Sequence, residues 1–295
     1  MTDLPLAPLL GLQGLTIEVL DIGPTTQAPD RHTALVAQGL ARVVAVEPAA
    51  ERTAALLARG VERVVPVFLG DGGGARLYTT RDPRFSSLFE PDPAVIDLFT
   101  TLSAGAGGNF QTVYTTEVQT ARLDDVLPEH RPDFMRLDIQ GGELAALEHG
   151  TARLASAVVV EVESALVALY KGQPLLADVH GLLRRHGFVL HKLIDVVGRA
   201  FLPLSPPNRH EPISQLLWGD AVFVRDFGAL ANLADDQLLK GALILSDVYH
   251  SFDLALLMLT EHDRRRGTAH AAAYHQALQT APSLHPQFLT MKTLP

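Results

Sequence analysis

Two kinds of apolar pattern alternate along the chain from about residue 16 onward. Short, continuous apolar runs end at glycine, proline or acidic residues, and they predict strands that are buried on both faces of a parallel sheet. Longer stretches carry apolar residues at helical spacing, and several end at a glycine, which predicts connecting helices. The predicted strands cover residues 16–23, 42–47, 64–69, 75–80, 113–123, 133–138, 157–163, 189–194 and 215–224. The predicted helices cover residues 31–38, 50–59, 93–102 and 175–186.

The order of these elements predicts an α/β fold built on a mostly parallel sheet that ends in a late antiparallel pair of strands. We expect residues 1–15 to form an N-terminal segment and residues 16–226 to form the sheet domain. Beyond that domain, leucine and alanine at helical spacing predict a C-terminal helical extension over residues 227–295. Two interpretations of the extension stay open: a layer packed on the sheet, or the interface of a homodimer.

Composition narrows the class of protein. Hydrophobic residues make up 47% of the chain and charged residues 19%, which is typical of a globular protein. The net charge is -9 and the basic clusters are short, which argues against a nucleic-acid partner. The absence of cysteine excludes disulfides, a thiolate nucleophile and zinc–thiolate sites. The N-terminus lacks a signal-peptide pattern and no apolar run is long enough to span a bilayer, so we expect a cytoplasmic protein without an integral membrane segment.

An acidic turn follows the strand predicted at residues 133–138. Asp138 ends that strand, Gly141 and Gly142 form a turn, and Glu143 opens the next helix, where the helix dipole favours negative charge. In an open α/β sheet, ligands bind outside the carboxyl ends of the strands. The pattern therefore predicts that Asp138 lies at the ligand-binding edge of the sheet.

The stretch Asp138-Ile139-Gln140-Gly141-Gly142-Glu143 resembles the Asp-x-Glu-Gly-x-Glu signature of the FkbM-type methyltransferase family. Further matches follow in the same order as in that family, at residues 20–23, 46–48, 69–71, 86–88, 122–127, 160–163, 169–175 and 217–223. The resemblance extends over residues 16–226. It implies a Rossmann-like methyltransferase sheet that binds S-adenosylmethionine.

The resemblance also implies a set of cofactor-binding residues at the ends of the strands. Gly23 would let the backbone approach the cofactor closely, and Glu47 would accept hydrogen bonds from the ribose hydroxyls. Asp21, Asp71 and Asp138 complete the predicted cofactor-binding set. The first turn departs from the family's Gly-x-Gly-x-Gly pattern, because it reads Gly23-Pro24-Thr25-Thr26-Gln27 and its proline fixes a backbone torsion.

Methyl transfer to an oxygen needs a base near the acceptor, or a metal that lowers the pKa of the acceptor. Asp138 is the expected catalytic base, and Glu163 is the second catalytic candidate, which would orient the acceptor. Gln140 stands where the family usually has glutamate and Arg136 where it usually has lysine; the first change removes one metal ligand, and no metal site is predicted. Glu161 lies on the same face of its strand as Glu163, and Arg136 could pair with either of them.

The resemblance and these residues together imply an S-adenosylmethionine-dependent O-methyltransferase that acts on a small-molecule or glycan acceptor. A second hypothesis is a catalytically silent Rossmann-like module with a binding or scaffold role, which the incomplete glycine turn favours. An NAD or nucleotide-sugar enzyme fits less well, because the Gly-x-Gly-x-x-Gly pattern of dinucleotide binding is missing.

Overall fold

The computed structural model describes residues 5–25 and 30–280. The strands are β1 (Ile17–Ile22), β2 (Ala41–Val46), β3 (Arg63–Val65), β4 (Phe68–Leu69), β5 (Gly74–Thr80), β6 (Thr112–Ala121), β7 (Phe134–Leu137), β8 (Val159–Ala165), β9 (Phe188–Arg199) and β10 (Gln215–Arg225). The helices are α1 (Leu6–Leu10), α2 (Thr33–Ala37), α3 (Ala50–Ala58), α4 (Pro93–Ile96), α5 (Leu123–Val126), α6 (Glu143–Glu148), α7 (Thr151–Leu154), α8 (Leu176–Arg185), α9 (Asp235–Leu243), α10 (Phe252–Arg266) and α11 (His270–Thr280). Thr26 and Gln27 of the predicted cofactor turn, and the outer ends of the predicted terminal segments, lie outside the described residues.

Seven strands form the main sheet in the order β3-β2-β1-β7-β8-β10-β9. Neighbours are parallel from β3 to β8, whereas β10 runs antiparallel to both β8 and β9. The predicted mostly parallel sheet with a late antiparallel pair is thereby confirmed. The strand order reverses between β1 and β7, which pair directly up to Ile22 and Leu137. A reversal of this kind opens the crevice in which α/β sheets bind their ligands.

The third predicted strand, residues 64–69, proves to be two strands. Pro66 interrupts it, because proline has no N–H to donate to the ladder. On one side of the proline, β3 continues the main sheet beside β2. On the other side, β4 joins a second sheet of order β4-β6-β5. The long stretch between β3 and β7 therefore builds a separate small sheet.

The helix predicted at residues 93–102 is also shorter than expected. It begins with Asp92, whose side chain accepts a hydrogen bond from the Ala94 N–H at 3.0 Å, and it ends after one turn as α4. Beyond it, Phe99 forms an isolated bridge with Phe201, and Thr101 adopts a left-handed φ of 64°. Pairing with the distant segment around Phe201 thus replaces the local helix that the apolar spacing predicted.

Two hydrophobic layers cover the faces of the main sheet. Successive residues of β7 point to opposite layers: Phe134 packs with α9, α10 and α11, whereas Met135 packs with α6, α7 and α8. Such alternation follows from the two-residue period of a strand. In the first layer Ala242, Met258 and Tyr274 are fully buried, so the helices after residue 226 pack on the sheet. Their use as a homodimer interface stays a prediction.

Candidate active site

A cavity of about 910 Å³ opens at the carboxyl ends of β1, β2, β7 and β8. Residues of the small sheet, including Phe68, Leu77 and Tyr114, close it from the other side. Ligand sites in proteins are concave pockets of comparable size with a few convergent polar groups. Of the predicted site residues, the cavity is lined by Gly23, Glu47, Asp138 and Glu163.

The floor of the cavity is formed by the turn that ends β1. Gly23 has a φ of 77°, in the left-handed region that favours glycine, and its N–H donates to the Val46 carbonyl at 3.0 Å. A Cβ at this position would lie 2.0 Å from the carbonyl oxygen of Asp138. The ends of β1 and β7 therefore lie so close together that this position requires glycine.

Glu47 follows β2 and lies at the opposite wall, with only 3% of its surface exposed. Its Oε1 accepts a hydrogen bond from the Ala49 N–H at 2.8 Å, and its Oε2 accepts one from Arg52 Nη1 at 2.8 Å. These contacts hold the carboxylate at the start of α3. A carboxylate can accept about four hydrogen bonds, so two further donors fit on its oxygens.

Asp138 and Glu163 meet in the cavity through the amide of Gln140. Gln140 Nε2 donates to Asp138 Oδ1 at 3.1 Å and to Glu163 Oε2 at 2.6 Å. The backbone of Gln140 has a φ of 54°, and its carbonyl accepts a hydrogen bond from Ser87 Oγ at 2.6 Å. This unusual turn conformation aims the amide back at the two carboxylates, and the Ser87 contact holds it in place.

Burial raises the pKa of Glu163 well above its usual value, and the nearby carboxylates of Asp138 and Glu143 add to the shift. Two carboxylates in one pocket repel each other when both are charged, so one of them keeps a proton. The raised pKa favours Glu163 as the proton-bearing member of this pair. Asp138 has a further partner, because Arg136 Nη2 donates to its Oδ2 at 3.0 Å.

Glu143 fixes the acidic turn from the first turn of α6. Its two carboxylate oxygens accept hydrogen bonds from the N–H groups of Ile139 at 2.7 Å and Gly141 at 2.9 Å. Burial raises its pKa to about 7. Both oxygens of Glu143 are thus used to hold the backbone that carries Asp138 and Gln140.

Asp21 is buried beneath the cavity and does not belong to its lining. Its Oδ1 accepts a hydrogen bond from Arg136 Nη1 at 3.2 Å, and burial raises its pKa to about 6. Arg136 also contacts Glu161, with 3.3 Å between Nε and Oε1. Burial disfavours the charge of Arg136, but the carboxylates of Asp21, Asp138 and Glu161 outweigh burial and raise its pKa. Asp21 is therefore an ion-pair partner inside the sheet, and the predicted contact between Asp21 and the cofactor has no support from its position.

Asp71 also lies outside the cavity. It follows β4 of the small sheet, because Pro66 has split the strand that was expected to carry it to the main edge. Its side chain is exposed and caps its own turn, with 2.7 Å between Oδ1 and the Gly73 nitrogen. The wall near this point is formed instead by Val67, Phe68 and Leu69.

The fold assembles an aromatic wall beside Glu163 that no pattern in the sequence predicted. Phe85 stacks on Phe110 with 4.1 Å between ring centroids, and Tyr170 follows with 5.8 Å from Phe110. Trp218 and Arg199 complete this wall. These residues come from five separate segments of the chain, so only the tertiary structure shows that they are neighbours.

Two groups of side chains in the described part of the chain could hold a metal ion by proximity of their ligand atoms. One consists of Asp21, Asp30 and His32, and the other of His262, Asp263 and His270. Neither group lines the cavity. In the same part of the chain, no helix combines the length and the apolar character that crossing a bilayer requires.

Solved structures similar to this chain include several methyltransferases. Magnesium protoporphyrin IX methyltransferase from Synechocystis PCC 6803 with bound SAM is 14% identical, with 75% of this chain and 76% of that chain covered and a TM-score of 0.36. Precorrin-6y C5,15-methyltransferase from Geobacter metallireducens GS-15 is 13% identical, with 74% and 84% covered and a TM-score of 0.34. A putative methyltransferase from Thermoplasma acidophilum is 9% identical, with 72% and 69% covered and a TM-score of 0.34.

No curated protein sequence matches the chain. The family model described as the methyltransferase FkbM domain matches residues 26–190, which is more than half of the chain. The matched region includes β2, the acidic turn with Asp138, and Glu163. By this match the chain belongs to the FkbM methyltransferase domain family.

Proposed function

We propose that this protein is an S-adenosylmethionine-dependent methyltransferase that methylates a hydroxyl group of a small-molecule or glycan acceptor. Membership of the FkbM family supports methyl transfer as the reaction class. The observation that carries the proposal is the pair of carboxylates, Asp138 and Glu163, held by one amide in a cavity at the switch point of the sheet. A carboxylate base next to a ligand crevice is the arrangement that O-methylation needs.

The residues that line the cavity fit S-adenosylmethionine. Glu47 offers a fixed carboxylate with free acceptor capacity for ribose hydroxyls, and Gly23 leaves only backbone between the cavity floor and the end of β7. The apolar side chains of Val67 and Leu69 suit the flat face of an adenine ring. S-Adenosylmethionine supplies an electrophilic methyl group when it is bound.

The acceptor hydroxyl becomes a better nucleophile as it loses its proton, and Asp138 is the group that receives this proton. The raised pKa of Glu163 favours its protonated form, in which it donates a hydrogen bond and keeps a second negative charge out of the pocket. The amide of Gln140 donates to both side chains and holds them in position relative to each other. Arg136 balances the charge of Asp138 from below.

The test combines a binding measurement with a transfer measurement. S-Adenosylhomocysteine binding is followed by calorimetry, and transfer of a tritiated methyl group is followed with a panel of monosaccharides and small hydroxylated compounds. We expect Asp138→Asn to lower the transfer rate by about 10²–10⁴-fold, because an amide matches the carboxylate in shape but accepts no proton. Affinity for S-adenosylhomocysteine should change little in this variant.

Glu47→Ala, in contrast, should act on cofactor affinity. It should weaken S-adenosylhomocysteine binding by about 1–3 kcal/mol, the usual effect of losing hydrogen bonds to a charged group. Asp125→Asn, at an exposed position of α5, is the matched control and should leave both measurements unchanged. Full transfer activity of Asp138→Asn would show that this acid is not the base. Failure of the wild-type protein to bind S-adenosylhomocysteine would favour the catalytically silent module.

A further inference from the structure

Arg199 ends β9 and belongs to the wall of the cavity. Its guanidinium lies over the ring of Trp218, 5.8 Å from the centroid. Its Nε donates to Thr101 Oγ1 at 2.9 Å, and its Nη1 donates to the carbonyls of Gly198 at 2.6 Å and His210 at 3.0 Å. Three chain segments thus fix one half-buried guanidinium at the edge of the cavity.

Among the described residues, no carboxylate lies within 4.0 Å of the Arg199 guanidinium, and its Nη2 makes no hydrogen bond. The other two arginines of the cavity wall are neutralised: Arg52 contacts Glu47 at 2.8 Å and Arg84 contacts Asp82 at 2.6 Å. Burial lowers the pKa of Arg199, and no charged partner offsets this effect. A cation that is fixed, partly desolvated and uncompensated is suited to binding an anion.

The acid pair and Arg199 stand on different strands of the same cavity. Glu163 belongs to β8, whereas Arg199 belongs to β9, and β10 lies between these two strands. The cavity therefore has an acidic end for a reacting hydroxyl and a separate cationic end. An acceptor that spans both ends needs a hydroxyl and, apart from it, a negative charge.

We propose that the acceptor carries an anionic group, a carboxylate or a phosphate, which Arg199 binds through its unused Nη2 donors. That the bound molecule is a methyl acceptor rests on the proposed function. The anion site itself is a property of Arg199 and can be tested without methyl transfer. Planar guanidinium groups recognise carboxylate and phosphate oxygens with a geometry that lysine cannot reproduce. The Trp218 ring and the hydrogen bonds of Nε and Nη1 hold the guanidinium in place.

Trp218 is the single tryptophan of the chain, so its fluorescence reports on the surroundings of Arg199. The experiment titrates the full-length protein with glucuronate, glucose 6-phosphate and inorganic phosphate at constant ionic strength. Glucose is the neutral counterpart of the first two probes. We expect a saturable change of emission with at least one of the anions and no saturable change with glucose.

Arg199→Gln should weaken the anion response by at least about tenfold, the factor that corresponds to one lost charged hydrogen bond. Arg199→Lys keeps the charge but loses the planar fork, so its response should lie between those of the wild type and Arg199→Gln. Arg185→Gln, at the exposed end of α8, is the matched control and should respond like the wild type. Circular dichroism establishes that each variant is folded.

The relative strength of the glucuronate and phosphate responses distinguishes a carboxylate-bearing acceptor from a phosphate-bearing one. No saturable response to any anion in the wild type overturns the proposal, and so does a response that survives in Arg199→Gln. Neither result depends on S-adenosylmethionine. A protein that binds anions through Arg199 but fails to bind S-adenosylhomocysteine would therefore contradict only the proposed function.

Discussion

At the scale of single residues, both the packing of the sheet and the shape of the site require that position 23 has no side chain. Its left-handed φ and its contact with the Asp138 carbonyl both exclude a side chain. The same position forms the floor of the cavity. A change at this residue therefore acts on folding and on binding together.

Gly23→Ala should lower the free energy of unfolding by about 2–4 kcal/mol, because a Cβ 2.0 Å from a backbone oxygen forces β1 and β7 apart in addition to the torsional strain. Gly107→Ala is the matched control: Gly107 has a φ of 81° and open space around its Cβ position, so only the strain of about 1 kcal/mol applies. Urea denaturation measures both. Equal losses in the two variants would show that the contact with Asp138 costs nothing.

At the scale of elements, the segment between α9 and α10 connects the C-terminal helices to the charged residues under the site. After a π-helical turn at Ile244–Val248, Tyr249 is buried and its hydroxyl donates to Glu161 Oε2 at 2.6 Å. Glu161 in turn contacts Arg136 and Arg31. A buried charged acceptor depends strongly on such donors, because water cannot replace them.

Tyr249→Phe should therefore lower the free energy of unfolding by about 1.5–3 kcal/mol, the range for hydrogen bonds to charged groups. Tyr274→Phe offers a matched comparison in the same layer, since its hydroxyl donates to the neutral Ser246 Oγ at 2.9 Å. That change should cost only about 0.5–1.5 kcal/mol. Thermal or urea unfolding ranks the two variants, and a larger loss in Tyr274→Phe would contradict the importance assigned to Glu161.

The elements that the sequence predicted well are those whose apolar pattern is set by the main sheet. β1, β2, β7 and β8 are mostly buried, so apolar residues dominate them, and their parallel direction follows from the crossover rule. The split at Pro66 and the short helix α4 were missed, because pairing with distant strands and segments overrides local spacing there.

In the site, the placement of Asp138 and Glu163 at the cavity agrees with the prediction, because each directly follows the part of its strand that pairs in the parallel sheet. Asp21 lies one residue before the end of β1, and its side chain meets the buried Arg136 on a neighbouring strand. Sequence position alone did not show which of these acids line the cavity and which form a buried ion pair. The role of Gln140 depends on its left-handed backbone, which no propensity indicates for glutamine.

At the scale of the whole molecule, buried acids make the stability depend on pH. The pKa of Asp220 is raised to about 6, first by burial and then by repulsion from Glu161 and Asp138. Because the folded value lies above the ordinary value of 3.8, the folded state binds more protons between these two values. This contribution to stability is complete below pH 3.8 and disappears as the pH rises through about 6.

Asp220→Asn removes the titration while keeping the shape of the side chain. The wild-type free energy of unfolding, relative to that of the variant, should fall by about 1–2 kcal/mol between pH 5 and pH 8. Asp125→Asn is the control, because the Asp125 side chain is exposed to water in the folded state as it is in the unfolded state. Urea denaturation at several pH values measures the differences, and a flat difference for Asp220→Asn would contradict a raised pKa.

The contacts of Arg136 have a consequence for how this chain can change during evolution. One guanidinium contacts three carboxylates: Asp21 in β1, Asp138 directly after β7, and Glu161 in β8. A lysine at position 136 would present a single ammonium group, which cannot face three carboxylates with a planar fork. A lysine at this position would therefore leave at least one of the three carboxylates without its ion pair to residue 136, unless position 21 or 161 carries a neutral residue. We therefore expect the effects of substitutions at positions 21, 136 and 161 to depend on one another.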